Sequence, residues 1–178
     1  MRKGILMPLG AIVISALILT GVSAGLKGTA QKKLEEKRLW LMQTVLPESQ
    51  TFVVEEYTGE DTNIQNVYKA ENGYVVETTV YGYAGNLAMF VGVSNEGTVT
   101  GMVVNDMSET YGLGANALTD HKFLAQFLDG EGDFTIGEGV DAISGATVTS
   151  KAVAKSINSA VAFVTGADVE TEATSWGG

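Results

Sequence analysis

The residues Asp141-Ala-Ile-Ser144-Gly145-Ala146-Thr147-Val-Thr149-Ser150 bring hydroxyls, a carboxylate and two positions with almost no side chain into one short stretch. The chain beyond it places apolar residues at 153, 157, 160, 161 and 164, the stripe of an amphipathic helix. Ser144 stands where an N-cap is expected, with Thr147, Thr149 and Ser150 in the first turn. Free N–H groups and the positive end of the helix dipole make such a start a site for phosphate. Gly145 and Ala146 leave room for a bulky group to approach the backbone or to ride on the next hydroxyl. A Ser/Thr-rich helix start also occurs without any ligand, because these residues are ordinary caps. No Gly-x4-Gly-Lys-Ser/Thr is present, which excludes a P-loop. The stretch lacks the Gly-x-Ser-x-Gly of a hydrolase elbow, and the single histidine, His121, has no triad context.

Two further segments belong with this one. The first is Ser108-Glu109-Thr110-Tyr111-Gly112-Leu113-Gly114-Ala115, followed by Thr119-Asp120 and a short apolar pattern to Phe127. The second is Gly92-Val93-Ser-Asn-Glu-Gly97-Thr-Val99-Thr-Gly101-Met-Val103-Val104. In this order the three resemble the FMN-binding domain family shared by RnfG of the Rnf complex and NqrC of the sodium-pumping NADH:quinone reductase. The resemblance covers residues 74–165, and the layout of the N-terminus matches as well. Tyr111 departs from it, standing where the family usually has proline, so the loop loses a fixed φ angle and gains an aromatic ring.

The resemblance implies that Thr147 carries FMN through a phosphodiester bond, which makes the chain a flavoprotein and a phosphoprotein. Ser144, Gly145 and Ala146 then surround the attachment point, and Asp141 serves either the attaching enzyme or the helix cap. Glu109, Thr110, Gly112, Leu113 and Gly114 are expected to border the flavin. Glycines 112 and 114 would let the backbone approach a flat ring. A threonine hydroxyl is a poor nucleophile at its normal pKa and no histidine lies in the motif, so attachment calls for a dedicated flavin transferase. The implied role is electron transfer within a membrane complex that couples flow between ferredoxin and NAD to sodium or proton movement, with other membrane subunits as partners. No catalytic side chain and no metal is expected of such a protein, since the flavin supplies the chemistry. Three alternatives stand beside it. These are the NqrC component of the quinone reductase, a free-standing membrane-anchored FMN carrier, and an anchored binding domain without cofactor.

The rest of the chain must place this site. Ile5–Leu26 is an uncharged run of 22 residues, and at about 1.5 Å per residue it is long enough to span a bilayer. It is also longer than the apolar region of a signal peptide. The expected layout is a cytoplasmic tail (1–4), a transmembrane helix (5–26), a helical stalk (27–46), the FMN-binding domain (47–166) and a C-terminal tail (167–178). Stalk residues Leu34, Leu41 and Val45 recur at helical spacing, Glu35 and Glu36 sit at pairing distance from lysines, and Pro47 ends the helix. Beyond Pro47 only four basic residues face nineteen acidic ones, a formal charge of −15. That field repels nucleic acid.

Residues 51–104 read as strands, with hairpin turns at Glu71-Asn72-Gly73 and Asn95-Glu96-Gly97. Helices are expected near 120–129 and 148–165. The class is therefore α+β, an antiparallel sheet with two to three helices. Asp129, Glu131 and Asp133 resemble part of a calcium loop but lack the remainder of an EF-hand, which favours a solvated turn. Phe123, Leu124, Phe127 and Leu128 are expected to face the core.

Orientation is where two signals oppose each other. Lysines and arginines after the apolar run would keep the domain in the cytoplasm, whereas the resemblance puts it outside the inner membrane. The absence of cysteine suits an oxidising compartment. The expectation is a single-pass protein with residues 47–178 extracytoplasmic. Protease added to intact spheroplasts should then clip the domain while cytoplasmic markers survive, and survival of the domain until the membrane is opened would invert the orientation.

Overall fold

The structure is a computed structural model that describes residues 31–107 and 118–167. The chain divides into two compact units, Met1–Trp40 and Leu41–Gly178. Residues 31–45 are helical (α1). In the first unit, Lys32 and Glu36 stand 3.9 Å apart at i,i+4 spacing on exposed side chains, an arrangement worth about 0.3–0.5 kcal/mol. The second unit reaches back to Leu41, so the final turn of α1 belongs with the domain, although the charge pattern assigns it to the stalk. Among the described residues no helix is long and apolar enough to cross a membrane, and residues 5–26 lie outside them.

Five strands come next in order: β1 (Val53–Glu55), β2 (Ile64–Lys69), β3 (Gly73–Tyr81), β4 (Asn86–Ser94) and β5 (Val99–Met107). They form one antiparallel sheet with strand order β1-β2-β3-β4-β5. Helix α2 (His121–Ala125) lies beyond them, then the short parallel pair β6 (Thr135–Ile136) and β7 (Gly139–Val140), and finally α3 (Thr147–Thr165). The α+β class is as expected. The second helix is shorter than its apolar pattern, because residues 126–129 close as turns.

Period-two alternation divides the sheet into two faces. Val76, Val80, Leu87, Met89, Val91 and Val93 face α3, together with Phe123 and Phe127. Of the four residues expected to face this core, Phe123 and Phe127 are buried, Leu124 packs at its margin, and Leu128 is exposed. The carboxylates of the acidic turn, Asp129, Glu131 and Asp133, are on exposed residues. Among the described residues no three acidic or histidine side chains gather to hold a metal.

The other face of the sheet is covered by Leu41, Met42, Val45 and Leu46, which pack on Tyr68, Val75 and Phe90. Each fully buried side chain of this size contributes about 1.5–3 kcal/mol. The helix end comes this close because Gly92 and Gly101, direct partners across β4 and β5, open a notch. A Cβ at Gly92 would overlap the Val45 carbonyl oxygen, and one at Gly101 would stand 2.8 Å from it. Thr100 Oγ1 donates to that same carbonyl at 2.7 Å, and Asn72 Nδ2 donates to the Pro47 carbonyl at 2.9 Å. The end of α1 is thus held by backbone acceptors as well as apolar contact. Gly92→Ala should destabilise the domain by about 2–3 kcal/mol, near the upper end of the usual cost of overpacking. Urea unfolding measures it, and a change below about 0.5 kcal/mol would mean that the notch is not tight.

Candidate functional site

Two small structures set the start of α3. Gly145 adopts φ +80°, a left-handed value that glycine takes at little steric cost. The Ala146 N–H donates to the Ile143 carbonyl at 2.9 Å, which closes a turn around Ser144 and Gly145. Ser150 then staples this turn to the helix. Its Oγ accepts from the Ile143 N–H at 3.2 Å and donates to the Ala146 carbonyl at 2.9 Å.

This geometry corrects the expected cap. The N-cap is Ala146, not Ser144, and no side chain caps the helix. The turn at Gly145 places Ser144 before the helix start, on the exposed surface. Asp141 does not cap α3 either. Gln126 grips its backbone instead, accepting from the Asp141 N–H at 2.8 Å and donating to the Asp141 carbonyl at 3.3 Å. The first-turn N–H groups therefore meet no capping side chain, as an anion site requires.

The hydroxyls of the motif differ sharply in access. Thr147 is exposed, while Thr149 and Ser150 are 0% exposed. Ser150 is committed to the staple, and Thr149 Oγ1 is sealed in the interior without a hydrogen-bond partner. Of the hydroxyl-bearing residues of the motif on the helix, only Thr147 is exposed. Ala146 is buried beneath the turn, and Gly145 is exposed beside it. A phosphate-linked cofactor fits this arrangement: an exposed threonine, the uncapped start of a 19-residue helix and no side chain on Gly145 to obstruct approach. Glu109, Thr110, Tyr111, Gly112, Leu113 and Gly114 lie outside the described residues.

Further residues hold the site in place. Asp120 caps α2, accepting from the N–H groups of Lys122 and Phe123 at 2.8 and 3.1 Å. His121 is the exposed first residue of that helix. Asn158 on α3 accepts from the Phe134 N–H at 2.9 Å and donates to its carbonyl at 3.0 Å. Gln126 and Asn158 were not singled out by the sequence pattern, since an amide gives no periodic signal and each partner is distant along the chain.

The matching domain model is the FMN-binding domain, over residues 82–162. The G subunit of an ion-translocating oxidoreductase complex of Methanosarcina acetivorans is 33% identical over 177 aligned positions, 86% of this chain and 93% of that one. The chain belongs to this G-subunit family. The G subunit of the Na(+)-translocating ferredoxin:NAD(+) oxidoreductase complex of Acetobacterium woodii is 30% identical, covering 88% of this chain and 87% of its own. Among solved structures, NqrC of Shewanella oneidensis aligns over 66% of each chain at 24% identity with a TM-score of 0.43. The matched FMN-binding segment begins at Gly82, in the bend between β3 and β4, and runs through most of α3.

The stranded hydroxyl of Thr149 gives a direct check on this local geometry. Leaving a buried polar group unsatisfied costs about 1–3 kcal/mol, so Thr149→Val, which replaces the hydroxyl by a methyl, should raise stability in urea unfolding. A loss of stability instead would mean that the hydroxyl has a partner.

Proposed function

We propose that this family member carries electrons within a membrane complex coupling transfer between ferredoxin and NAD to ion translocation, and that its FMN is held covalently on Thr147. The observation that carries the covalent reading is the exposed Thr147 in the uncapped first turn of α3, set against the sealed hydroxyl of Thr149. FMN, when bound, supplies reversible electron uptake. The chain's own part is to present the hydroxyl, offer first-turn N–H groups to the phosphate and fix the position of the attachment residue through the Ser150 staple and the Gln126 grip. A dipole contribution of about 0.3–1 kcal/mol is too small to retain a cofactor, which favours a covalent tether.

The same reading makes residues 5–26 an anchor, places the domain outside the inner membrane, gives it other membrane subunits as partners and calls for a flavin transferase. Family membership favours the RnfG role over that of NqrC in the quinone reductase. Produced with the transferase, the protein should gain one FMN on the peptide containing Thr147. Thr147→Ala should give folded, colourless protein, whereas Thr149→Val should remain yellow. A peptide map that places the flavin on Ser144 or Thr149 would overturn the assignment, and a colourless wild-type protein would favour a domain without cofactor.

A further inference from the structure

Helix α3 runs antiparallel to β3, and its contacts fix which end of the sheet its first turn occupies. Phe163 packs edge-on to Tyr74 at 5.6 Å between ring centroids, and Ser156 is hydrogen-bonded to Thr78. A Cβ at Gly97, in the turn between β4 and β5, would meet Thr165 Cγ2. The helix C-terminus therefore lies at the β4–β5 turn, an end closed by the rings of Tyr57, Tyr74 and Phe163. Thr149 is seven residues before Ser156, about 10 Å along a helix. Tyr81 is three residues beyond Thr78, also about 10 Å along a strand. Thr147 is thus carried to the end of the sheet where β3 turns into β4 and where β5 finishes.

At that end β5 bears an apolar residue that the core does not use. Strand β5 contains two register shifts against β4. One of them falls between the pairs Met89↔Val104 and Ala88↔Asp106, and it leaves Asn105 unpaired. Directly paired residues share a face of the sheet, so the strand would have turned Met107 away from α3 had Asn105 been in register. The bulge re-aims it. Met107 pairs with Leu87, whose side chain belongs to the core beneath α3. Leu87 is fully buried, whereas Met107 is 42% exposed. Tyr81 lies at the same end and is 69% exposed, but it pairs with Asn86 on the opposite face.

We propose that Met107 is the floor on which the isoalloxazine ring of the flavin carried by Thr147 rests. The inference depends on that attachment. A polarizable thioether is suited to an aromatic surface. The occupant is the chain's own cofactor, because the residue that would carry it stands at this end of the sheet and on this face. The matched FMN-binding segment contains both residues.

The test uses full-length protein produced with the flavin transferase, with the flavin located by peptide mass before any reading is taken. Met107→Trp should quench the fluorescence of the attached flavin several-fold relative to wild type. Tyr81→Trp, at the same end but on the other face, should leave it unchanged. Quenching in both variants, or in neither, overturns the proposal. If Met107→Trp yields no folded protein, Met107→Glu decides, because a carboxylate beside the ring should make the midpoint potential more negative, and an unchanged potential overturns the inference. Absence of flavin from the Thr147 peptide would instead defeat the attachment on which it rests.

Discussion

The site depends first on how closely α3 can approach the sheet. The residues that α3 buries include Ala152, Ser156, Ser159 and Ala160, none of which projects far from the backbone. Thr78 and Ser156 meet through their hydroxyls in the interior, and Asn63 reaches Ser159 at 3.3 Å. These polar contacts fix the helix along its own axis, which apolar packing alone does poorly because it is non-directional. A larger residue at 156 would lift the helix and carry its first turn with it. The position of Thr147 is therefore set nine residues away, in the middle of the helix.

A second constraint comes from side-chain amides acting as strand partners. Gln126 and Asn158 each bond both the N–H and the carbonyl of a single residue. One ties the end of α2 to Asp141, and the other ties α3 to Phe134. Phe134 and Asp141 flank the short β6–β7 pair, whose register does not extend to them, and their backbone groups still need partners. The amides provide those partners without a full sheet, so the segment before the motif is held from both sides.

Much of this was legible in the sequence and some of it could not have been. The five strands arise from β-branched runs with turn residues between them, and α3 from its apolar stripe and from Gly166, which ends it in a left-handed conformation. Pro47 marked the end of α1. Ser144 misled because a serine before a helix ordinarily caps it, and only the torsion at Gly145 shows that the chain turns first. The unpaired residue of β5 was hidden for a different reason: a bulge breaks the alternation that identifies faces, so Val104 and Met107 look opposed when they are not. Burial separated Thr147 from Thr149, and two threonines two residues apart are indistinguishable by type. The glycines at 92 and 101 read as parts of a turn pattern, since their partner carbonyl lies some fifty residues earlier.

That carbonyl limits how the chain can change length. Successive residues of a helix are rotated by about 100°, so the Val45 oxygen meets the glycine notch at only one helical phase. An insertion or deletion of one residue between Leu41 and Pro47 would swing the acceptor away from Thr100 and turn Leu41 and Met42 off their apolar seat. Within those few residues the protein is phase-locked.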